Sequence, residues 1–213
     1  MNEVERACRE HCDFDLSAYD NYGNSLRRME LPKTVPPEFR GMPFTSMRPA
    51  FMSEFGFVLL SQAFIDDLVN KVIKGGRVLE IMSGPGLLAR HLRDAGVDLM
   101  ATDNFWWYDN HKRMCWELFS YVERLDALKA IRKYGSKVDF VLMSWPEYDS
   151  PLAAMCVEEI RKVNPDLKLI YIGEGGGGCC ANDEFFDMLS YSCVDIHFDS
   201  WFGIQDYVSV FDI

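Results

Sequence analysis

Several short apolar runs in this chain end in an acid, a hydroxyl or an aromatic ring, and those endings are where chemistry can be sought. Glu80 lies inside the run Val78-Leu79-Glu80-Ile81, which leads into Met82-Ser83-Gly84-Pro85-Gly86. Small residues let the backbone turn tightly and approach a ligand closely. A helix opening just after them offers free N–H groups. Asp103 follows Ala101-Thr102 and precedes Asn104; a carboxylate at such a strand end can accept both hydroxyls of a ribose. Asp126, ahead of Ala127, can take a hydrogen bond from an adenine amino group or cap a helix. A fourth run ends in Ser144-Trp145-Pro146-Glu147-Tyr148. Each position has a structural use as well, since Asp is common in turns and aromatic rings fill cores. Their order along the chain, each at a strand end, favours a ligand site.

A fifth run ends in Gly173-Glu174-Gly175-Gly176-Gly177-Gly178-Cys179-Cys180. Glycine runs serve as plain linkers, but this one falls on the expected ligand face. Glu174 is placed to bind a cation or take a proton from an attacking nucleophile. Cys179 and Cys180 read as packing residues. Aromatic groups at Phe105-Trp106-Trp107-Tyr108 and Trp201-Phe202 are divided between core packing and attraction of a cation to ring faces.

The elements that must position these residues are legible as periodicity. Residues 53–73 read as a helix, with Phe57, Leu60, Phe64, Leu68 and Val72 near one face. Strands are expected at 77–82, 97–101, 121–125, 138–143 and 167–172. Helices are expected at 86–95, 110–119, 127–134, 151–163 and 183–191. Strands alternating with helices imply a parallel sheet covered on both faces. Two last strands, 194–198 and 207–211, have no room for a crossover, so the final strand is expected to run antiparallel. Residues 1–52 hold five prolines (Pro32, Pro36, Pro37, Pro43 and Pro49). They read as a short helix near 3–12 and an irregular N-terminal extension packing on a main domain at 53–213.

Taken together, the segment of Glu80, Met82, Ser83, Gly84 and Gly86, then Asp103, then Asp126-Ala127, then Ser144-Trp145-Pro146 resembles the successive motifs of class I methyltransferases. The resemblance spans roughly residues 55–213. It implies an α/β fold, doubly wound, with a mostly parallel seven-stranded sheet, a reversed C-terminal strand and three α/β/α layers. It implies S-adenosyl-L-methionine as cofactor. The loop through Glu80, Met82, Ser83, Gly84 and Gly86 would hold its methionine part, Asp103 with Asn104 its ribose, and Asp126 with Ala127 its adenine. Ser144 and Trp145 would border the cofactor, while Ser144, Pro146, Tyr148 and Glu174 would serve the catalytic side. The family usually has glycine where Met82 stands. Trp145 and Glu147 also break the Asp/Asn/Ser-Pro-Pro-Tyr pattern of enzymes that methylate nucleobases, which points to a small molecule or a protein side chain as acceptor.

Gly84-Pro85-Gly86-Leu87-Leu88-Ala89 also fits a dinucleotide fingerprint. An NAD(P)-linked oxidoreductase is therefore the rival reading, and a catalytically inactive cofactor-binding scaffold subunit is a third. An acid inside the strand end, and the shortage of chain for a separate substrate domain, favour the methyltransferase.

Composition agrees with a one-domain enzyme: 213 residues, 48% hydrophobic and 26% charged. The net charge of -11, from 33 acids and 22 bases, repels a phosphate backbone and argues against nucleic acid. No apolar run approaches the ~20 residues of a membrane span, and the first residues carry charge instead of an apolar signal core. Seven cysteines at irregular spacings suit a reducing, cytoplasmic setting. Cys8, His11 and Cys12 lack the second pair a tetrahedral metal site needs, so no metal is expected. The oligomeric state is left open.

Overall fold

The computed structural model describes residues 3–110, 118–190 and 192–213. Helices α1 (Glu3–Arg9), α2 (Ser17–Arg27) and α3 (Arg48–Phe55) come first, with 3-10 turns at Pro37–Arg40 and Met42–Met47. Helix α4 (Gln62–Asp67) runs on into a π-helical turn, Leu68–Ile73. The alternating part is β1 (Val78–Ile81), α5 (Leu87–Asp94), β2 (Leu99–Asp103), α6 (Trp106–Asn110), β3 (Glu123–Arg124), α7 (Ala127–Tyr134), β4 (Phe140–Ser144), α8 (Leu152–Val163), β5 (Lys168–Glu174), α9 (Asp183–Asp187) and β6 (Asp206–Asp212). Among the described residues no helix is long and apolar enough to cross a membrane.

Among the described residues the sheet has six strands, in the order β3-β2-β1-β4-β5-β6. The first five are parallel, and β6 runs antiparallel to β5 from Lys168↔Asp212 to Glu174↔Asp206. The α/β class and the reversed last strand are thus as expected. With the right-handed crossovers that parallel strands take, this order puts α5 on one face and α7 and α8, which pack together, on the other. The order reverses between β1 and β4, the position where open α/β sheets bind ligands.

The sheet has six strands rather than the seven expected, because 194–198 forms no strand. Only Cys193 bridges to Ser209. The next residues are drawn to the N-terminal half: the His197 amide donates to Asp67 (2.8 Å), Phe198 meets Phe64 edge-on at 5.1 Å, and Asp199 pairs with Arg40. The expected helix over 53–73 is two helices. Gly56 (φ 96°) ends α3 in a conformation that favours glycine, and Ser61 caps α4 by accepting the Phe64 amide. The expected third strand is the two-residue β3, and the last helix stops at Asp187. Most of the helix expected over 110–119 lies outside the described residues.

The N-terminal half and the sheet share one hydrophobic core. Tyr22, Phe39, Phe51 and Trp201 stack with centroids 5.0–6.5 Å apart. The buried Tyr22 hydroxyl donates to the Leu60 carbonyl (2.8 Å) and accepts the Leu60 amide (2.7 Å). That exchange fixes the stretch between α3 and α4 against α2.

Candidate active site

A cavity of about 560 Å³ opens beyond the carboxyl ends of β1, β2 and β4. Of the residues expected at a site, Glu80, Met82, Ser83, Gly84, Asp103, Asn104, Ser144, Trp145, Pro146 and Tyr148 line it. Gly86, Asp126, Ala127 and Glu174 are not in its wall.

Met82 has φ 54° and Gly84 φ 57°, both left-handed. A methionine therefore occupies a backbone conformation that glycine adopts freely, at a cost of roughly 1–2 kcal/mol. The loop is held nonetheless. The Ser83 amide donates to the Thr102 carbonyl (3.1 Å) and the Gly84 amide to Asp103 Oδ2 (2.8 Å). Gly86 (φ 77°) is required for packing instead: a Cβ there would lie 2.7 Å from Val122 Cγ2.

Two carboxylates stand on this floor. Glu80 is 1% exposed, in the middle of β1 between Ala101 of β2 and Leu142 of β4. Its Oε2 is buried with no hydrogen-bond partner. Burial pushes its carboxyl up to about 8; Arg93 opposes the rise and Asp103 adds to it. Asp103 is buried as well, and burial raises its carboxyl despite three donors. Its Oδ1 accepts the Phe105 amide (2.6 Å) and the Trp107 indole N–H (3.0 Å), while Oδ2 holds Gly84. A carboxylate has about four acceptor positions, so Asp103 retains room for one further hydroxyl.

Trp145, at the end of β4, also has a left-handed backbone (φ 48°). Its indole N–H donates to Asp206 Oδ2 (3.2 Å) and its ring stacks on Phe57 (5.4 Å, 17°). The Arg48 guanidinium lies 5.0 Å from its ring centroid. Pro146 is buried, Ser144 half-buried and Tyr148 exposed.

The remaining expected residues have structural positions. Asp126 caps α7 by accepting the Leu128 (3.0 Å) and Lys129 (3.4 Å) amides, and Ala127 is core. Glu174 folds the glycine loop: its carboxylate accepts the Cys179 and Gln205 amides, each at 3.0 Å. Gly178 makes this possible, since a Cβ there would lie 2.5 Å from Glu174 Cβ. Cys179, from that loop, does reach the cavity wall. Among the described residues no group of three or more His, Cys, Asp or Glu is placed to hold a metal; the His11 ring nitrogen pairs with the Ala7 carbonyl (2.9 Å) and Cys12 faces Ser46 and Met47.

Sequence reasoning missed one wall altogether. Arg48, Met52, Phe55, Phe57, Val58 and Leu60 cover the cavity from the N-terminal side. Nothing in their spacing marks them, because they converge only where α3 ends at Gly56 and the chain is tied to Tyr22.

No family profile and no curated protein matches the sequence. Among solved structures, a mutant of MtNAS is 11% identical with a TM-score of 0.43, covering 98% of this chain and 74% of that one. Magnesium protoporphyrin IX methyltransferase (ChlM) from Synechocystis PCC 6803, solved with bound SAM, is 13% identical, with a TM-score of 0.41 and coverage of 82% and 91%. The glycopeptide N-methyltransferase MtfA, solved with (S)-adenosyl-L-homocysteine, is 14% identical, with a TM-score of 0.37. This chain spans 56% of that protein's length. These likenesses are slight, and the functional reading rests on the chain's own site.

Proposed function

We propose that the chain is an S-adenosyl-L-methionine-dependent methyltransferase acting on an N or O nucleophile of a small molecule or a protein side chain. Residues 53–213 form the cofactor-binding unit and residues 1–52 an extension over it. The observation that carries the reading is the unpartnered, buried Oε2 of Glu80, a residue in the wall of a cavity at the switch in strand order. A buried acceptor without a donor is costly unless a ligand supplies one. The ammonium of S-adenosylmethionine supplies N–H donors for that need, and the free acceptor position of Asp103 suits one ribose hydroxyl. The cavity's size falls within the usual range for such ligands, ~300–1,000 Å³.

When bound, S-adenosylmethionine supplies a methyl group already activated by its positive sulfur. What remains for the protein is alignment, which contributes about 7–11 kcal/mol in well-oriented reactions. Glu80 orients the cationic end. The Ser83-Gly84 turn, held by Thr102 and Asp103, fixes the backbone beside it. Trp145 and Phe57 form an apolar wall that excludes water, and Ser144, Pro146 and Tyr148 border the acceptor side. Glu174, engaged by two amides, positions the glycine loop and takes no proton. Asp126 caps a helix outside the cavity wall, so adenine recognition is assigned to other groups. An NAD(P)-linked oxidoreductase would bring a pyrophosphate to the same floor, where the Asp103 carboxylate presents acceptor oxygens to an anion. That arrangement disfavours the rival.

Titration calorimetry with S-adenosylmethionine and S-adenosylhomocysteine tests the reading. Both should bind the wild-type protein, and Glu80→Ala should bind each at least about tenfold more weakly, a loss of ~1.4 kcal/mol. Absence of binding to the wild type would overturn it.

A further inference from the structure

Arg48 is the other unsatisfied group in the cavity wall. It begins α3, and its guanidinium lies 5.0 Å from the Trp145 ring centroid. Its Nε and Nη2 are buried and have no hydrogen-bond partner. The two carboxylates that act on it electrostatically, Asp206 and Glu174, form no ion pair with it. Asp206 Oδ2 holds the Trp145 indole while its Oδ1 is itself buried without a partner, and both oxygens of Glu174 hold backbone amides. Nε and Nη2 form the side of the guanidinium that grips a planar anion with two parallel hydrogen bonds. No second arginine and no lysine or histidine lines the cavity among the described residues, and much of its wall is apolar (Phe57, Val58, Leu60). A lone arginine there matches the single charge of a carboxylate better than a doubly charged phosphate.

Position separates this group from the cofactor end. Glu80, Ser83, Gly84 and Asp103 mark the β1–β2 side of the cavity. Arg48 stands over Trp145 at the end of β4, beside Cys179 from the loop after β5. We propose that Arg48 anchors a carboxylate of the methyl acceptor, and that the acceptor is a small carboxylic acid with an apolar body. This rests on the methyltransferase reading for the word acceptor, but the anion site itself stands on Arg48 alone.

The test uses benzoate and 3-phenylpropionate against their amides, by calorimetry on the full chain with and without S-adenosylhomocysteine. The wild type should prefer at least one acid over its amide by about tenfold, the size of a charge-assisted pair. Arg48→Met should erase that preference and leave S-adenosylhomocysteine affinity within about threefold. Arg48→Lys keeps the charge without the fork, should retain part of the preference, and carries the test if Arg48→Met does not fold. Equal binding of acids and amides by the wild type overturns the proposal. So does a preference that survives in Arg48→Met or is undiminished in Arg48→Lys. If Arg48→Met instead weakens S-adenosylhomocysteine but not methylthioadenosine, which lacks the carboxylate, the anion is the cofactor's own and the acceptor assignment falls. Failure of the wild type to bind S-adenosylhomocysteine, with the acid preference intact, overturns the methyltransferase reading and leaves the anion site standing.

Discussion

Asp103 Oδ2 accepts the Gly84 amide at 2.8 Å, so the acid at the end of β2 holds the loop at the end of β1. The same carboxylate orders the start of the next segment through Phe105 and Trp107. One side chain thus shapes two sides of the cavity before any ligand arrives.

Asp103→Ala should therefore lower stability and ligand affinity together. Three donors lose their acceptor, and the loss should be about 2–4 kcal/mol, given ~1–3 kcal/mol for each buried unsatisfied group with partial relaxation. Urea unfolding and calorimetry with S-adenosylhomocysteine measure the two effects. A variant as stable as the wild type would show that these hydrogen bonds do not hold the loop.

Glu80 gives a pH signature. Its carboxyl moves from an ordinary 4.5 to about 8 in the fold, so between those values the native state holds a proton the unfolded chain has lost. Stability from this group is complete below about pH 4.5 and declines as pH rises to about 8. Glu80→Gln cannot ionise. Its stability relative to the wild type should rise through that window and level off above it. Thermal melts of both proteins at matched ionic strength check the difference curve; parallel curves would contradict the burial argument.

Met82 tests whether the loop conformation or the side chain matters. Valine is badly suited to φ 54°, so Met82→Val should cost about 1–2 kcal/mol beyond the methionine's own strain. Met82→Asn should keep the loop, because asparagine tolerates this region. S-adenosylhomocysteine affinity should fall for the valine variant and hold within about threefold for the asparagine one, since threefold is under 1 kcal/mol. Equal affinities would detach the backbone conformation from binding.

Glu174 should behave as a clamp. In Glu174→Gln one of the two carboxylate acceptors becomes a donor facing an amide. Hydrogen exchange at Cys179 and Gln205 should speed up by at least about tenfold, or ~1.4 kcal/mol of local opening. Gly178→Ala should do the same through its clash with Glu174 Cβ. Unchanged exchange in both variants would return Glu174 to the list of proton acceptors.

The central strands were legible because each is a short apolar run ending in a turn. β1, β2, β4 and β5 need no more information than that. Helix α2 left a signal that the five nearby prolines obscured: Tyr19, Tyr22 and Leu26 fall on one face at helical spacing. The lost strand at 194–198 has the apolar alternation of a strand, but Asp67, Phe64 and Arg40 compete for it from distant parts of the chain. The site divides the same way. Glu80, Asp103 and Trp145 sit at strand ends, where chain order is enough to find them. Asp126 had two readings from the start; its Oδ1 caps α7 through Leu128 and Lys129, and the residue lies outside the cavity wall. Arg48 left no local trace, since what singles it out is the absence of partners in three dimensions.

The wall formed by Arg48 and residues 52–60 is one continuous stretch of chain, separate from the strand ends that carry Glu80 and Asp103. On the proposed reading, Arg48 and its neighbours form an acceptor wall in a tract of the gene apart from Glu80 and Asp103, completed after β4 by Ser144, Pro146 and Tyr148. A change of acceptor can then arise by replacing a dozen codons, with the catalytic floor inherited intact. The Tyr22–Leu60 latch closes that stretch, and Phe51, Phe55, Val58 and Leu60 within it tie any such exchange to the shared core.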